Sequence, residues 1–167
     1  MKPEYIIIHH SATSRDLTKL EAIDNYHKLK GFPKSSLGYY AGYHLVITGD
    51  GTSYQTRAFD EEGCHASALG MNKKSVGICL TGNFEQENPS SEQLKTLEKE
   101  IEKIKEIYQI PVEKVIGHCE IPYQTACPGK NLLSWLIEWR NSKIRVGDNE
   151  KIKKIRELAE EILKLCK

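Results

Sequence analysis

No stretch of this 167-residue chain holds enough consecutive apolar residues to span a bilayer, so insertion in a membrane as a helix is not expected. The opening Met1-Lys2-Pro3-Glu4-Tyr5 lacks the long apolar region of a secretory signal, because Ile6-Ile7-Ile8 leads at once into histidines. Synthesis in the cytoplasm, with action after release by some other route, is the expectation. The five cysteines are odd in number and lack framework spacing, which argues against a disulfide scaffold. Neither charge sign dominates. Residues 1–142 carry 16 Lys and Arg against 18 Asp and Glu, and residues 143–167 carry 8 against 5. The larger part therefore lacks the basic face of a nucleic-acid binder, and no nucleic-acid partner is expected. The mildly basic tail reads as a solvated helix face, or as a surface for anionic polymers.

What is present describes one soluble domain. The length allows a real core, and hydrophobic residues at 39% with charged residues at 28% are ordinary for a globular protein. Tyr5 to His9 is short, continuous and β-branched, as a buried strand requires. A helix is expected from about Lys19 to Leu29, started by a Thr18/Glu21 capping box and ended by Gly31 and Pro33, with Leu20, Ile23 and Tyr26 facing inward. Lys34 to Ala41 reads as a loop framing a groove. Tyr43–Thr48 and Thr52–Arg57 read as a hairpin around Gly49-Asp50-Gly51, and Ser75–Thr81 as a central strand. Ser90 with Gln93 caps a long helix whose Leu94, Leu97, Ile101, Ile104 and Tyr108 fall on one stripe. A strand Val112–Gly117 and a closing helix Asn131–Arg140 follow.

These elements predict an α/β fold, a mixed central β-sheet flanked by helices, with an extra C-terminal helix. Residues 1–142 form the main domain and residues 143–167 a helical tail. In that tail Ile152, Ile155, Ala159, Ile162 and Cys166 repeat at steps of three and four. Three readings are open for it: docking on the domain, pairing with another copy into an oligomer, or leading to a further module.

The chemistry concentrates in Gly117-His118-Cys119-Glu120-Ile121-Pro122-Tyr123-Gln124-Thr125-Ala126-Cys127-Pro128-Gly129. Pro122 and Pro128 bar it from being a single helix, so a turn can bring an imidazole and a thiol together. That pairing suits zinc, which takes His nitrogen and Cys sulfur in a tetrahedral shell. A third donor is on offer where the apolar run Ile6-Ile7-Ile8 ends in His9-His10. Three protein donors and an open fourth position describe a catalytic zinc. On spacing alone, Cys127 as a small buried hydrophobe is the competing reading. Cys79 reads as a core residue.

Four blocks in order, "IIIHHSAT", "GYHLVITGDGT", "GCHASALGMNKKSVGICLTGNF" and "VIGHCEIPYQTACPG", cover roughly residues 4 to 140. With them the chain resembles the zinc amidase family that includes phage amidase lysozymes and peptidoglycan recognition proteins. The resemblance implies N-acetylmuramoyl-L-alanine amidase activity on bacterial peptidoglycan, with one zinc ion on His9, His118 and Cys127. It selects His9 over its neighbour His10, and Cys127 over Cys119; adjacent strand residues face opposite ways in any case. It implies that Tyr43 is catalytic, against the alternative of a core aromatic on a strand. Thr125 stands where phage lysozyme relatives carry lysine and catalytic recognition proteins carry threonine, which implies a hydroxyl contact to oxyanion or water without added charge. His65 and Asn72 fall in the loop matching the substrate groove and are implied substrate contacts. Glu120 is a candidate proton donor or a structural salt-bridge partner, and His27 and His44 read as structural. Non-catalytic members of the family have lost metal ligands, typically the cysteine. Keeping the full set favours a phage or prophage endolysin over a binding module without activity.

Overall fold

The computed structural model describes residues 1–122 and 125–165, and for residue 148 and residues 159–165 the backbone alone. Cys166 therefore lies outside the described residues, as do the side chains of Ala159 and Ile162.

Five strands form one sheet: β1 Tyr5–His10, β2 Leu45–Ile47, β3 Ser53–Gln55, β4 Ser75–Leu80 and β5 Val115–Gly117. Their order across the sheet is β3-β2-β4-β1-β5. All pairs are parallel except β2 with the edge strand β3, so the mixed α/β sheet expected from the sequence is present. Strand β1 runs between β4 and β5 and is covered on both faces, which is why it can be apolar without interruption. Ile6 and Ile8 point into the main core, with Leu97, Ile101, Ile104, Leu132 and Leu136 from two helices. Ile7 points the other way, against Met71 and Ile121. This alternation carries to the strand's end, where His9 shares the face of Ile7 and His10 that of Ile8.

The helices are α1 Leu20–Leu29, α2 Ser91–Tyr108 and α3 Lys130–Leu165. The α2 capping box forms as expected: Ser90 Oγ accepts the Gln93 N–H at 3.0 Å and Gln93 Oε1 accepts the Ser90 N–H at 3.1 Å. The Thr18/Glu21 box does not. Helix α1 starts one residue after Lys19, which makes no side-chain cap bond, and Thr18 instead donates its hydroxyl to Thr13. Tyr26 is exposed rather than inward; His27 takes the inner position beside Leu20 and Ile23. Strands β2 and β3 are shorter than expected, Leu45–Ile47 and Ser53–Gln55, although the Thr56 N–H still bonds His44 O just beyond them. Residues 112–114 form a 3-10 turn, not the start of β5.

One helix replaces the expected closing helix plus separate tail. Helix α3 runs 36 residues without a break, and residues 142 and 143 lie inside it. Its first part is tied down: Leu132, Leu136 and Trp139 are buried, and Lys143 Nζ sits 3.0 Å from both Glu98 and Glu102 on α2. Beyond that, Val146, Ile152, Ile155 and Leu158 are exposed. Docking of this segment on the domain is therefore not observed among the described residues.

Arg57 is the largest fully buried side chain. Its guanidinium donates to Ala41 O at 2.9 Å and Pro33 O at 2.5 Å and pairs with Glu61 at 3.3 Å, so it staples the loop 33–41 to the sheet.

Candidate metal centre

His9, His118 and Cys127 meet where the ends of β1 and β5 approach the start of α3. One ligand atom from each lies within 4.8 Å of the other two. His9 is fully buried and is carried there by the strand alternation. His118 opens a 3-10 turn, His118–Glu120, directly after β5, and its ring centre is 4.5 Å from that of His9.

The turn holding His118 is braced from behind. Glu120 accepts the Gly117 N–H at 2.7 Å and takes a two-pronged bond from Arg140 of α3, at 2.8 and 3.1 Å. Arg140 also donates to Val115 O at 3.1 Å, locking β5 to the helix. Of the two roles open for Glu120, the structural salt bridge is the one seen. The loop returning to Cys127 is closed by the Cys119 N–H on Cys127 O at 2.7 Å, and the Thr125 hydroxyl accepts the Cys127 N–H at 3.1 Å. Cys127 Sγ then accepts the His10 N–H at 3.4 Å and stands 3.5 Å from His9 Nδ1. Cys119 is not in the cluster. His10 turns to the core, where its Nδ1 accepts the Phe84 N–H at 3.2 Å.

Burial sets the electrostatics. It holds the imidazoles of His9 and His65 well below their ordinary pKa and lowers His118, so all three are neutral lone-pair donors near pH 7. Burial also pushes the Cys127 thiol up to about 12. A thiolate at this position therefore needs a cation beside it. Two neutral imidazoles and one such thiol are a donor set that a divalent zinc completes, since the ion supplies the missing positive charge as the thiol proton leaves.

Tyr43 lies just before β2 with its ring centre 5.2 Å from that of His9. Burial, then the neighbouring Cys79 and Cys127, raise its phenol well above the usual value, so it stays a protonated donor. It lies near the buried thiol of Cys79, which pairs opposite His9 on β4, and the two groups shift each other's titration. Two cavities border the cluster. One, of about 410 Å³, has Phe32, Asn72, His65 and His118 in its wall; the other, of about 500 Å³, has Ser11, Thr13, His27 and Tyr43.

His65 and Asn72 both line the first cavity, and each also has one polar atom bonded inward. His65 Nδ1 lies 3.0 Å from His9 Nε2, and Asn72 Oδ1 accepts the N–H groups of His65 and Ala66 at 2.8 and 2.7 Å. The contact from His65 to His9, the Tyr43–Cys79 pair and the stacking of Phe32 on His27 were not legible beforehand, since each joins residues distant in sequence. His27 and His44 are structural as expected: His27 Nδ1 accepts the Gly42 N–H, and His44 bridges Gly77 N to Glu61 O.

The family described as N-acetylmuramoyl-L-alanine amidase matches residues 1–130. A peptidoglycan-recognition protein SC2 from Drosophila melanogaster is 30% identical over 141 residues, covering 83% of this chain and 75% of its own. Among solved structures, the N-acetylmuramoyl-L-alanine amidase LysC from Clostridium intestinale URNW is 29% identical with a TM-score of 0.71, over 87% of each chain. The Drosophila recognition protein PGRP-LB is 30% identical with a TM-score of 0.69, over 83% of this chain and 82% of its own.

Proposed function

Given that the chain belongs to the N-acetylmuramoyl-L-alanine amidase family, we propose that it is a zinc hydrolase of peptidoglycan. It cuts the amide between the lactyl group of N-acetylmuramic acid and the L-alanine of the stem peptide. The observation that carries this is the convergence of His9, His118 and Cys127 within 4.8 Å beside Tyr43. His9, His118 and Cys127 hold one zinc ion. The bound ion supplies Lewis acidity toward the scissile carbonyl and a water acidified to a pKa of roughly 7.

The chain's own groups do the rest. The two cavities hold the glycan and peptide sides of the substrate, with the amide carbon over the cluster. Tyr43, neutral at working pH, donates its hydroxyl hydrogen to the carbonyl oxygen as negative charge grows there. The Thr125 hydroxyl accepts the Cys127 N–H and keeps its own hydrogen to donate to the same oxygen. In the balance one water is consumed: a C–O bond forms, the C–N bond breaks, and the alanine nitrogen leaves as an amine with a water proton. Glu120, bound to Gly117 and Arg140, is not the group that delivers it.

An endolysin is the setting we favour, in line with the likeness to LysCS of Clostridium intestinale URNW, a protein described as an endolysine amidase, at 31% identity and a TM-score of 0.66. Purified wall sacculi should lose turbidity and release new L-alanine amino groups, with one zinc per chain by metal analysis. Both effects should vanish with a chelator and return with zinc. Binding to sacculi without amine release would make the chain a peptidoglycan-binding module instead.

A further inference from the structure

We propose that His65 is the positioning residue for His9: its Nδ1 accepts a hydrogen bond from the His9 Nε2–H, and so leaves the Nδ1 lone pair of His9 aimed at the metal position. The inference rests on the zinc reading above but concerns a residue outside the ligand set. His9 has two ring nitrogens and two neighbours. Nδ1 stands 3.5 Å from Cys127 Sγ, and Nε2 stands 3.0 Å from His65 Nδ1. A neutral imidazole carries one proton, and whichever nitrogen bears it is lost as a ligand. An acceptor at Nε2 settles the tautomer in favour of ligation through Nδ1. Zinc-binding histidines commonly pass their second N–H to a carboxylate or carbonyl. Here the acceptor is another imidazole, which orients the ring while adding no negative charge.

The surroundings of His65 are built for that contact. Asn72 Oδ1 holds the backbone N–H groups of His65 and Ala66 at 2.8 and 2.7 Å. The ring lies in a slot that exists only because two neighbours lack side chains: a Cβ on Gly77 would come 2.6 Å from it, and one on Gly63 2.5 Å. The ring centre of His9 is 5.0 Å from that of His65 at an interplanar angle of 82°, so the Nε2–H of one points at the edge of the other. Once Nδ1 accepts from His9, the His65 proton must sit on Nε2. That nitrogen is buried and makes no hydrogen bond of normal length among the described residues, although the Ser75 backbone is near enough to act on the ring. A buried donor left without a good partner is unfavourable, because its lost hydration is not replaced. Stability alone does not account for a histidine here; its contact with His9 does.

The direct test is the His9 tautomer, read from long-range 1H–15N NMR correlations in the metal-free protein. The proton should be on His9 Nε2 in the wild type and distributed over both nitrogens in His65→Ala. Zinc affinity, measured by competition with a chromophoric chelator, should fall roughly 10- to 100-fold in His65→Ala. His65→Gln, whose amide oxygen can accept the same proton, should recover most of the loss. A wild-type spectrum with the proton on His9 Nδ1 would overturn the proposal without any variant, so a misfolded His65→Ala leaves it testable. A raised KM with unchanged zinc affinity would also overturn it, and would return His65 to the substrate. A protein that binds no zinc would sink the hydrolase reading, while the tautomer would still report on this one.

Discussion

Acid should unfold the metal-free protein well above the pH at which its carboxylates titrate, and the imidazoles at the centre of the fold are the reason. His9, His44 and His65 are all buried, and burial is the first cause of the lowered pKa at each. For His44 the ring is held down from 6.5 to about 4, with Nδ1 accepting the Gly77 N–H at 3.0 Å and Nε2 bonded to Glu61 O at 2.9 Å. A proton on Nδ1 would break the first bond. Because the folded pKa lies below the unfolded one, the stability is fully present above about pH 6.5 and is lost as pH falls toward 4. The loss at His44 over that range is about 3 kcal/mol, at ~1.4 kcal/mol per pKa unit. Below pH 6 the unfolded chain also protonates His9 and His65, so the three together approach ~4 kcal/mol per pH unit. Against a total of roughly 5–15 kcal/mol for a domain, one to two pH units below 6.5 should consume most of the stability. Urea unfolding with chelator present, followed by circular dichroism at half-unit steps from pH 8 to 4.5, measures the slope directly. A fall of less than one proton's worth between pH 6.5 and 5 would mean that these rings are solvated or paired in a way that contradicts their burial. Adding zinc should shift the collapse to lower pH, since the ion competes with protons at His9 and His118.

Other outcomes are equally specific. Tyr43→Phe should keep zinc content and lower kcat by about 10²–10³, the usual effect of deleting one oxyanion donor; turnover equal to wild type would remove Tyr43 from the mechanism. Cys127→Ser should lose metal and activity together, since a serine hydroxyl has no thiolate to offer; zinc at wild-type affinity would mean the sulfur is not a ligand. In the parent, zinc uptake should release the Cys127 proton, so apparent affinity rises about tenfold per pH unit near neutrality; titration calorimetry in buffers of different ionisation enthalpy counts that proton. Ending the chain after Arg145 should leave the urea midpoint and muropeptide turnover unchanged, because Val146, Ile152, Ile155 and Leu158 are exposed rather than part of the core. A collapse on truncation would show that the end of α3 belongs to the core.

Much was legible in the residues themselves. An unbroken β-branched run ending in histidines can only be an interior strand, and its two-residue period already divided His9 from His10. Ser90, Gln93 and the stripe Leu97, Ile101 and Ile104 specify α2 locally, since capping and helical periodicity act over a few residues. The donor set His9, His118 and Cys127 was readable because the chemistry of zinc restricts residue type, and because four blocks together resemble one family. Where local signals competed with packing, the sequence misled. Thr18 found a better partner in Thr13 than in a helix end, and Tyr26 yielded the inner face to His27, whose ring nitrogen could reach the Gly42 N–H. Only the folded chain decided that β1 would lie between β4 and β5, bringing a histidine from the start of the chain against a cysteine 118 positions later. It also decided which way the polar atoms of His65 and Asn72 turn. Such contacts depend on strand order and on the space that Gly63 and Gly77 leave open, quantities set by the packing of distant segments rather than by any one of them.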